Sequence, residues 1–148
     1  NIDYILSTES SIEEATKDSD LVIGAVYVIG KQAPKVVKNN MLQNMKSGAV
    51  MVDISIDQGG CFESSRPTTH DEPTYLHNGV LHYCVTNMPG AVPLTATEAL
   101  NKATLSYVLE LANKGIELAL SENAHLANGL NIKNGKVVHE AVKEALAS

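Results

Sequence analysis

The stretch DLVIGAVYV, residues 20–28, is apolar from Leu21 to Val28 and rich in β-branched side chains. A continuous run of this kind, unlike an alternating one, is the mark of a strand buried on both faces. The pattern recurs in AVMVDIS, residues 49–55, and in VLHYCV, residues 80–85. Between the first two runs Gly30 breaks the strand, and Pro34 suits the first turn of a helix reaching to about Met45, closed by Ser47-Gly48. Upstream, Ile2 to Leu6 reads as a short strand. Ser10 with Glu13, or Ser11 with Glu14, then fits a capping box, which predicts a helix through about Lys17. Strands alternating with helices imply βαβ units and a parallel sheet covered on both faces. Ligands in such sheets bind beyond the carboxyl ends of the strands, so the segments after Val28, Ile54 and Val85 share one functional rim.

At 148 residues, 44% hydrophobic and 19% charged, the chain is of globular composition and long enough to bury a core. A net charge of −6 with scattered Lys and Arg argues against nucleic acid. No apolar run approaches the roughly 20 residues needed to cross a bilayer, and no signal peptide is visible. Cys61 and Cys84 are too far apart for a metal knuckle and too few for a disulfide framework, so a reducing, cytoplasmic setting is the default. The chain opens at Asn1 with residues that already read as a strand, which fits a fragment or a processed product.

After Asn87 the pattern changes. NMPGAVPLTATEAL is a proline-bounded connection, and Thr95 with Glu98 fits a second capping box. A helix from about Thr97 to Asn113 follows, with an apolar stripe of Leu100, Leu105, Val108, Leu109 and Leu111, and Gly115 stops or bends it. Asn134-Gly135 is a type I′ hairpin signal, and His139 to Ala147 reads as a short amphipathic helix. A glycine-rich G-x-G-x-x-G turn is absent, so the first half of a dinucleotide fold would lie upstream of Asn1. Residues 1–93 thus read as part of a Rossmann-like domain and residues 94–148 as a helical segment with a small hairpin.

Chemistry concentrates in three places. In MVDISIDQGG, residues 51–60, Asp57 lies just past a buried strand end, where a carboxylate can bond a cofactor hydroxyl or serve as acid or base; it can equally be a turn aspartate before Gly59 and Gly60. Asp53, inside the strand, reads as structural, bonding local backbone donors. In SSRPTTHDEPTY, residues 64–75, Arg66 can fork onto a phosphate or carboxylate, and His70 with Asp71 can form an oriented pair; the competing reading is a loop pinned by Pro67 and Pro73. His77 and His82 share no metal-ligand spacing with His70. In VTNMPG, residues 85–90, Asn87 can bond a carboxamide and Met88 can pack on a flat ring, or the segment is a proline turn. Cys84 reads as a small core residue.

Taken together, VDISIDQGGCFESSRPTTHDEPTY and HYCVTNMPGAVPLTATEAL resemble the bacterial alanine dehydrogenases. DLVIGAVYVIGKQAPKVV, LELANKG and GLNIKNGKVVHEAVKEAL continue the resemblance over essentially the whole chain. The resemblance implies NAD-dependent oxidative deamination of L-alanine to pyruvate and ammonium, and the reverse. It implies a catalytic role for Asp57, acting with a histidine of the substrate domain. It places Ile54, Ser55, Ile56 and Asp57, with Val85, Thr86, Asn87 and Met88, around the nicotinamide. It adds Ser7, Val26, Tyr27 and Arg66 to the NAD contacts, Ser7 on the adenosine side. It implies a homo-oligomer, commonly a hexamer, while the spacing of the histidines already argues against a metal site. The family's substrate-domain lysine, arginine and histidine, its glycine-rich turn and its ribose-binding acid would all precede Asn1, and His70 does not replace that histidine. The tail after Pro93 would complete the substrate domain. Two other readings remain: a non-catalytic structural or weak nucleotide-binding fragment, and a transhydrogenase-like subunit, which the loop motifs disfavour.

Overall fold

Three of the apolar runs pair as strands, and their register decides which side chains are buried. In the computed structural model, which describes residues 2–147, they form β1 (Leu21–Gly24), β2 (Val50–Asp53) and β4 (Val80–Tyr83). β1 pairs with β2, and β2 with β4, in parallel; Ile23 lies opposite Val52, and Val52 opposite Tyr83. A fourth strand, β3 (Thr74–His77), joins β4 antiparallel, giving the order β1-β2-β4-β3. The architecture is therefore mixed α/β with a largely parallel sheet.

β3 starts directly after Pro73, at the end of the stretch read as a proline-pinned loop, where no strand was expected. Its turn, Asn78-Gly79, has both residues at positive φ, 50° and 78°. That is the type I′ hairpin signal, flanked by TYLH and VLHY, the same signal found at Asn134-Gly135.

Before β1, α1 (Glu9–Lys17) is capped by Thr8, whose side chain accepts from the Ser11 backbone while Ser11 reaches back to the Thr8 N–H. The box forms two or three residues earlier than the serine–glutamate pairs predict. Ile2 to Leu6 is irregular and exposed, not a strand; among the described residues no strand pairs with it. The helix expected from Pro34 to Met45 is also absent. Val36 and Val37 are β-branched and extended, with both amides directed at the Cys61 carbonyl and Val37 bridging Phe62, and only a 3₁₀ turn at Met41–Asn44 follows. Tertiary pairing overrides the proline signal there.

The sheet is covered on one face by the described residues. Met51, Asp53, Val80 and His82 are buried on that face beneath Phe62, Met41, Leu42 and Val37. A Cβ on Gly24 would collide with Cys61 Sγ and the Phe62 ring, so the strand end must be glycine. On the other face Leu21, Ile23 and Leu76 are exposed, which departs from the expected double coverage.

His82 is fully buried and stacked on Tyr75. Its Nδ1 lies 3.0 Å from the Val80 carbonyl, which can only accept, so Nδ1 carries the proton and Nε2 accepts from the Ser64 hydroxyl at 2.7 Å. Burial lowers its pKa below the usual 6.5, with the His77 charge adding to the shift. Because the folded value lies below the unfolded one, the unfolded chain binds more protons in that window. Stability from His82 is then complete above about pH 6.5 and is lost as the pH falls toward the folded value. The urea midpoint should drop between about pH 7.5 and 5.5 in wild type and drop less in His82→Gln; equal drops would refute this.

By compactness, the segments up to Val28 and Gln32–Met88 form one unit, and Ile29–Lys31 with the residues from Pro89 onward form a second. The second unit holds α2 (Pro93–Lys114), α3 (Ile116–Glu122), α4 (Ala124–Ala127), the hairpin β5 (Ile132–Lys133) and β6 (Lys136–Val137), and α5 (Glu140–Ala147). α2 starts at Pro93, so Thr95 lies inside the helix and does not cap it. Gly115, at φ 75°, separates α2 from α3. Lys114 bridges Glu110 of α2 and Glu122 of α3 across that break. Leu100, Leu105, Val108 and Leu109 of the apolar stripe are exposed.

Candidate active site

The carboxyl ends of the parallel strands β1, β2 and β4 lie at one edge of the sheet. The chain leaves β2 through a 3₁₀ turn, Ile54–Gln58, whose N-cap is Asp53 and whose C-cap is Gly59 in the left-handed region, φ 87°. Gly60 follows at φ 76°, and a Cβ there would press on Ser65 and on Asp53 Oδ2. Two glycines are needed because the chain must turn tightly against the buried Asp53 carboxylate. Asp53 itself faces inward and accepts from the amides of Ser55 at 3.0 Å and Cys61 at 2.8 Å. It also accepts from the Ser65 hydroxyl. The structural role read for it from sequence is the one it has.

Asp57, four residues on, is exposed. It lines a cleft of about 360 Å³ with Ala25, Val26, Tyr27, Ile54, Ser55 and Gln58. Two segments make the walls: the one after β1 and the turn after β2. The Ser55 hydroxyl donates to the Val26 carbonyl at 2.8 Å. The Gln58 carboxamide accepts from the Val28 amide and donates to the Val28 carbonyl. Lys35 Nζ caps the turn by donating to the Gly59 and Gly60 carbonyls. The cleft is mostly apolar, with exposed Tyr27 and Ile54, and its one carboxylate is Asp57. Such a slot can hold a flat ring and move a proton at its edge.

Of the residues singled out from sequence, Val26, Tyr27, Ile54, Ser55 and Asp57 come together here. Ile56, between them, is buried. Val85, Thr86, Asn87 and Met88 follow β4 at the same sheet edge without lining this cleft. They are held by the PTTH loop: Thr68 bridges Val85, the Thr68 amide donates to the Cys84 carbonyl, and His70 Nε2 lies 2.6 Å from the Asn87 carbonyl, to which it donates. His70 thus ties the PTTH loop to the Asn87 segment. Arg66 lies over the Tyr75 ring, 4.0 Å from its centroid, and Ser7 is exposed before α1; neither lines the cleft. Gln58 and Lys35 are the residues the sequence reading missed. Gln58 was visible inside the DQGG motif, but its bond to a residue 30 positions away was not. Cys61 is fully buried, and burial together with the Asp53 charge pushes its thiol pKa up to about 11. It is therefore no nucleophile. Among the described residues no cluster of His, Cys, Asp or Glu is set to hold a metal, and no helix is long and apolar enough to cross a membrane.

Comparisons with known proteins converge. The family described as "Alanine dehydrogenase/PNT, C-terminal domain" matches residues 1–140. An alanine dehydrogenase of Halomonas elongata is 56% identical over 141 residues, covering 95% of this chain and 38% of that protein. One from Mycolicibacterium smegmatis is 56% identical over 140 residues, with the same shares. The chain thus spans well under half the length of these relatives. A solved structure titled L-alanine dehydrogenase superposes with a TM-score of 0.79 at 49% identity, covering 95% of this chain and 39% of that one. A transhydrogenase from Sinorhizobium meliloti shares the fold, with a TM-score of 0.67 at 23% identity, over 90% of this chain and 36% of its own. On its sequence profile, its relatives and its fold, the chain belongs to the alanine dehydrogenase/PNT C-terminal domain family.

Proposed function

We propose that this chain is the C-terminal portion of an NAD-dependent alanine dehydrogenase and forms its nicotinamide-facing wall. The reaction is the reversible oxidative deamination of L-alanine to pyruvate and ammonium. The observation that carries the reading is the cleft at the parallel strand ends, with Asp57 as its carboxylate, in a chain of this family. An apolar slot edged by a carboxylate, a hydroxyl and a carboxamide suits a nicotinamide ring; it lacks the backbone nest that a pyrophosphate requires. NAD, when bound, supplies the hydride acceptor. Asp57 handles the proton, holding it or passing it to water or to the substrate adduct as nitrogen leaves. Tyr27 and Ile54 exclude water, and Ser55 holds the Val26 wall. A histidine outside this chain is the partner of Asp57. Ser7, Arg66 and the Val85–Met88 segment are proposed as further NAD contacts.

The exposed stripe of α2 supports burial against other parts of a homo-oligomer, hexameric on the resemblance, and the setting is cytoplasmic. A second reading has one observation behind it: among the described residues there is no glycine-rich turn for the pyrophosphate. On that reading the 148-residue chain alone binds NAD weakly and catalyses nothing.

Two measurements decide. The full-length protein should reduce NAD when L-alanine is added, followed as absorbance at 340 nm, and silence there would sink the enzyme reading. Calorimetric titration of the isolated chain should show no micromolar binding, and micromolar binding would remove the second reading.

A further inference from the structure

The wall of the cleft opposite Asp57 is not held by sheet pairing. The β1–β2 ladder ends at Gly24 and Asp53, four residues short of Val28. Beyond that point the amide and carbonyl of Val28 must be satisfied without a strand beside them. Gln58 takes up this role. Its Oε1 lies 3.4 Å from the Val28 amide and its Nε2 3.3 Å from the Val28 carbonyl, so one carboxamide meets both polar groups of one residue. Its own main-chain carbonyl accepts from the Ala33 amide at 2.9 Å. Gln58 therefore closes the base of the loop that leaves after Val28 and returns by Ala33, and it does so from the position next to Asp57.

We propose that Gln58 is a positioning residue of the cofactor cleft: it holds the Val26–Val28 wall at the separation a nicotinamide ring needs and fixes the turn that carries Asp57. The proposal rests on the NAD-dependent reading above. The chemistry demands a carboxamide, because Val28 presents one donor and one acceptor and only a group with both can meet them. Methionine keeps the length and volume but supplies neither. A glutamate supplies an acceptor for the amide and, when ionised, sets a second oxygen against the Val28 carbonyl. Once protonated, the same glutamate has one acceptor and one O–H donor, the pattern of the glutamine it replaces.

The test uses Gln58→Met and Gln58→Glu in the full-length protein, with NADH binding followed by fluorescence and Val28 amide exchange followed by mass spectrometry or NMR. Gln58→Met should weaken NADH binding about tenfold, with Val28 exchange accelerated by a similar factor and little change in thermal midpoint. Gln58→Glu should match Gln58→Met near pH 8 and recover toward wild type as the pH falls and its carboxyl protonates. A side chain that merely fills space gives no such recovery. Asp57 and Lys35, the charged groups nearest this turn in the sequence and the bonding, are the same in wild type, so the ratio of variant to wild type isolates residue 58. Wild-type binding and exchange in Gln58→Met, or a Gln58→Glu ratio that does not change with pH, overturns the proposal. If the wild-type protein itself fails to bind NADH, the cofactor reading falls and the positioning role with it. The Val28 exchange rates then show separately whether the clamp exists.

Discussion

Asp57→Asn in the full-length protein is expected to lower kcat by roughly 10²–10⁴-fold, the usual share of a positioned acid or base, while leaving stability within about 0.5 kcal/mol of wild type. The asymmetry follows from where the side chain sits. Asp57 is exposed on a 3₁₀ turn that its neighbours hold: Asp53 caps its start, Gly59 ends it, and Lys35 binds the carbonyls beyond. Among the described residues no hydrogen bond or ion pair involves the Asp57 carboxylate, so its removal breaks nothing that holds the fold. Asparagine keeps the shape and loses the ability to take up a proton. Turnover should fall without a matching fall in NADH affinity, because the cleft walls are set by Ser55 and Gln58. Steady-state kinetics beside NADH titration and thermal melts make the comparison. Near-wild-type kcat would remove Asp57 from the chemistry, and a large drop in melting temperature would make it a structural residue.

The parallel sheet was legible because continuous β-branched runs favour strands, and Val50–Asp53 and Val80–Tyr83 fall inside the runs read from sequence, although the described residues cover only one face. The failures have local causes. Pro34 announced a helix, but Val36 and Val37 spend their amides on the Cys61 carbonyl, a partner about 25 residues away that no window reveals. β3 was missed although Asn78-Gly79 carries the same turn chemistry that was recognised at Asn134-Gly135, because Pro67 and Pro73 before it read as loop. At the site, the cleft unites residues from two segments, and each segment was visible as a strand end. What was not visible is what holds them together. The Ser55–Val26 and Gln58–Val28 bonds span 29 and 30 positions, and their meaning exists only once β1 and β2 are paired. Arg66 shows the same limit: its fork onto an anion was legible as one of two readings, but its place over the Tyr75 ring needed the fold.

Asp53→Ala should cost roughly 3–5 kcal/mol of unfolding free energy, the penalty for leaving several buried donors without a partner. Asp53 has no exposed surface, and among the described residues no lysine or arginine pairs with it. Its charge is met by donors alone: the Ser55 amide on Oδ1, and the amides of Cys61 and Phe62 with the Ser65 hydroxyl on Oδ2. The Cys61 thiol, kept protonated by burial and by that same carboxylate, also points at Oδ1 at 3.5 Å. Alanine strands all of these at once and opens a hole beside Gly60. Asparagine keeps the volume but turns one accepting oxygen into an NH₂ that faces other donors, so it should lose roughly 2–3 kcal/mol. Urea denaturation measures both, and the rate at which Cys61 reacts with a thiol reagent gives a local readout, since loosening the Asp53 knot uncovers it. The two aspartates of one short turn should then separate cleanly: Asp53 variants unfold at lower urea, whereas Asp57→Asn keeps its stability and loses turnover. A cost below about 1 kcal/mol for Asp53→Ala, less than one stranded buried donor, would mean that water reaches these amides and that the turn is held by its glycines and Lys35 instead.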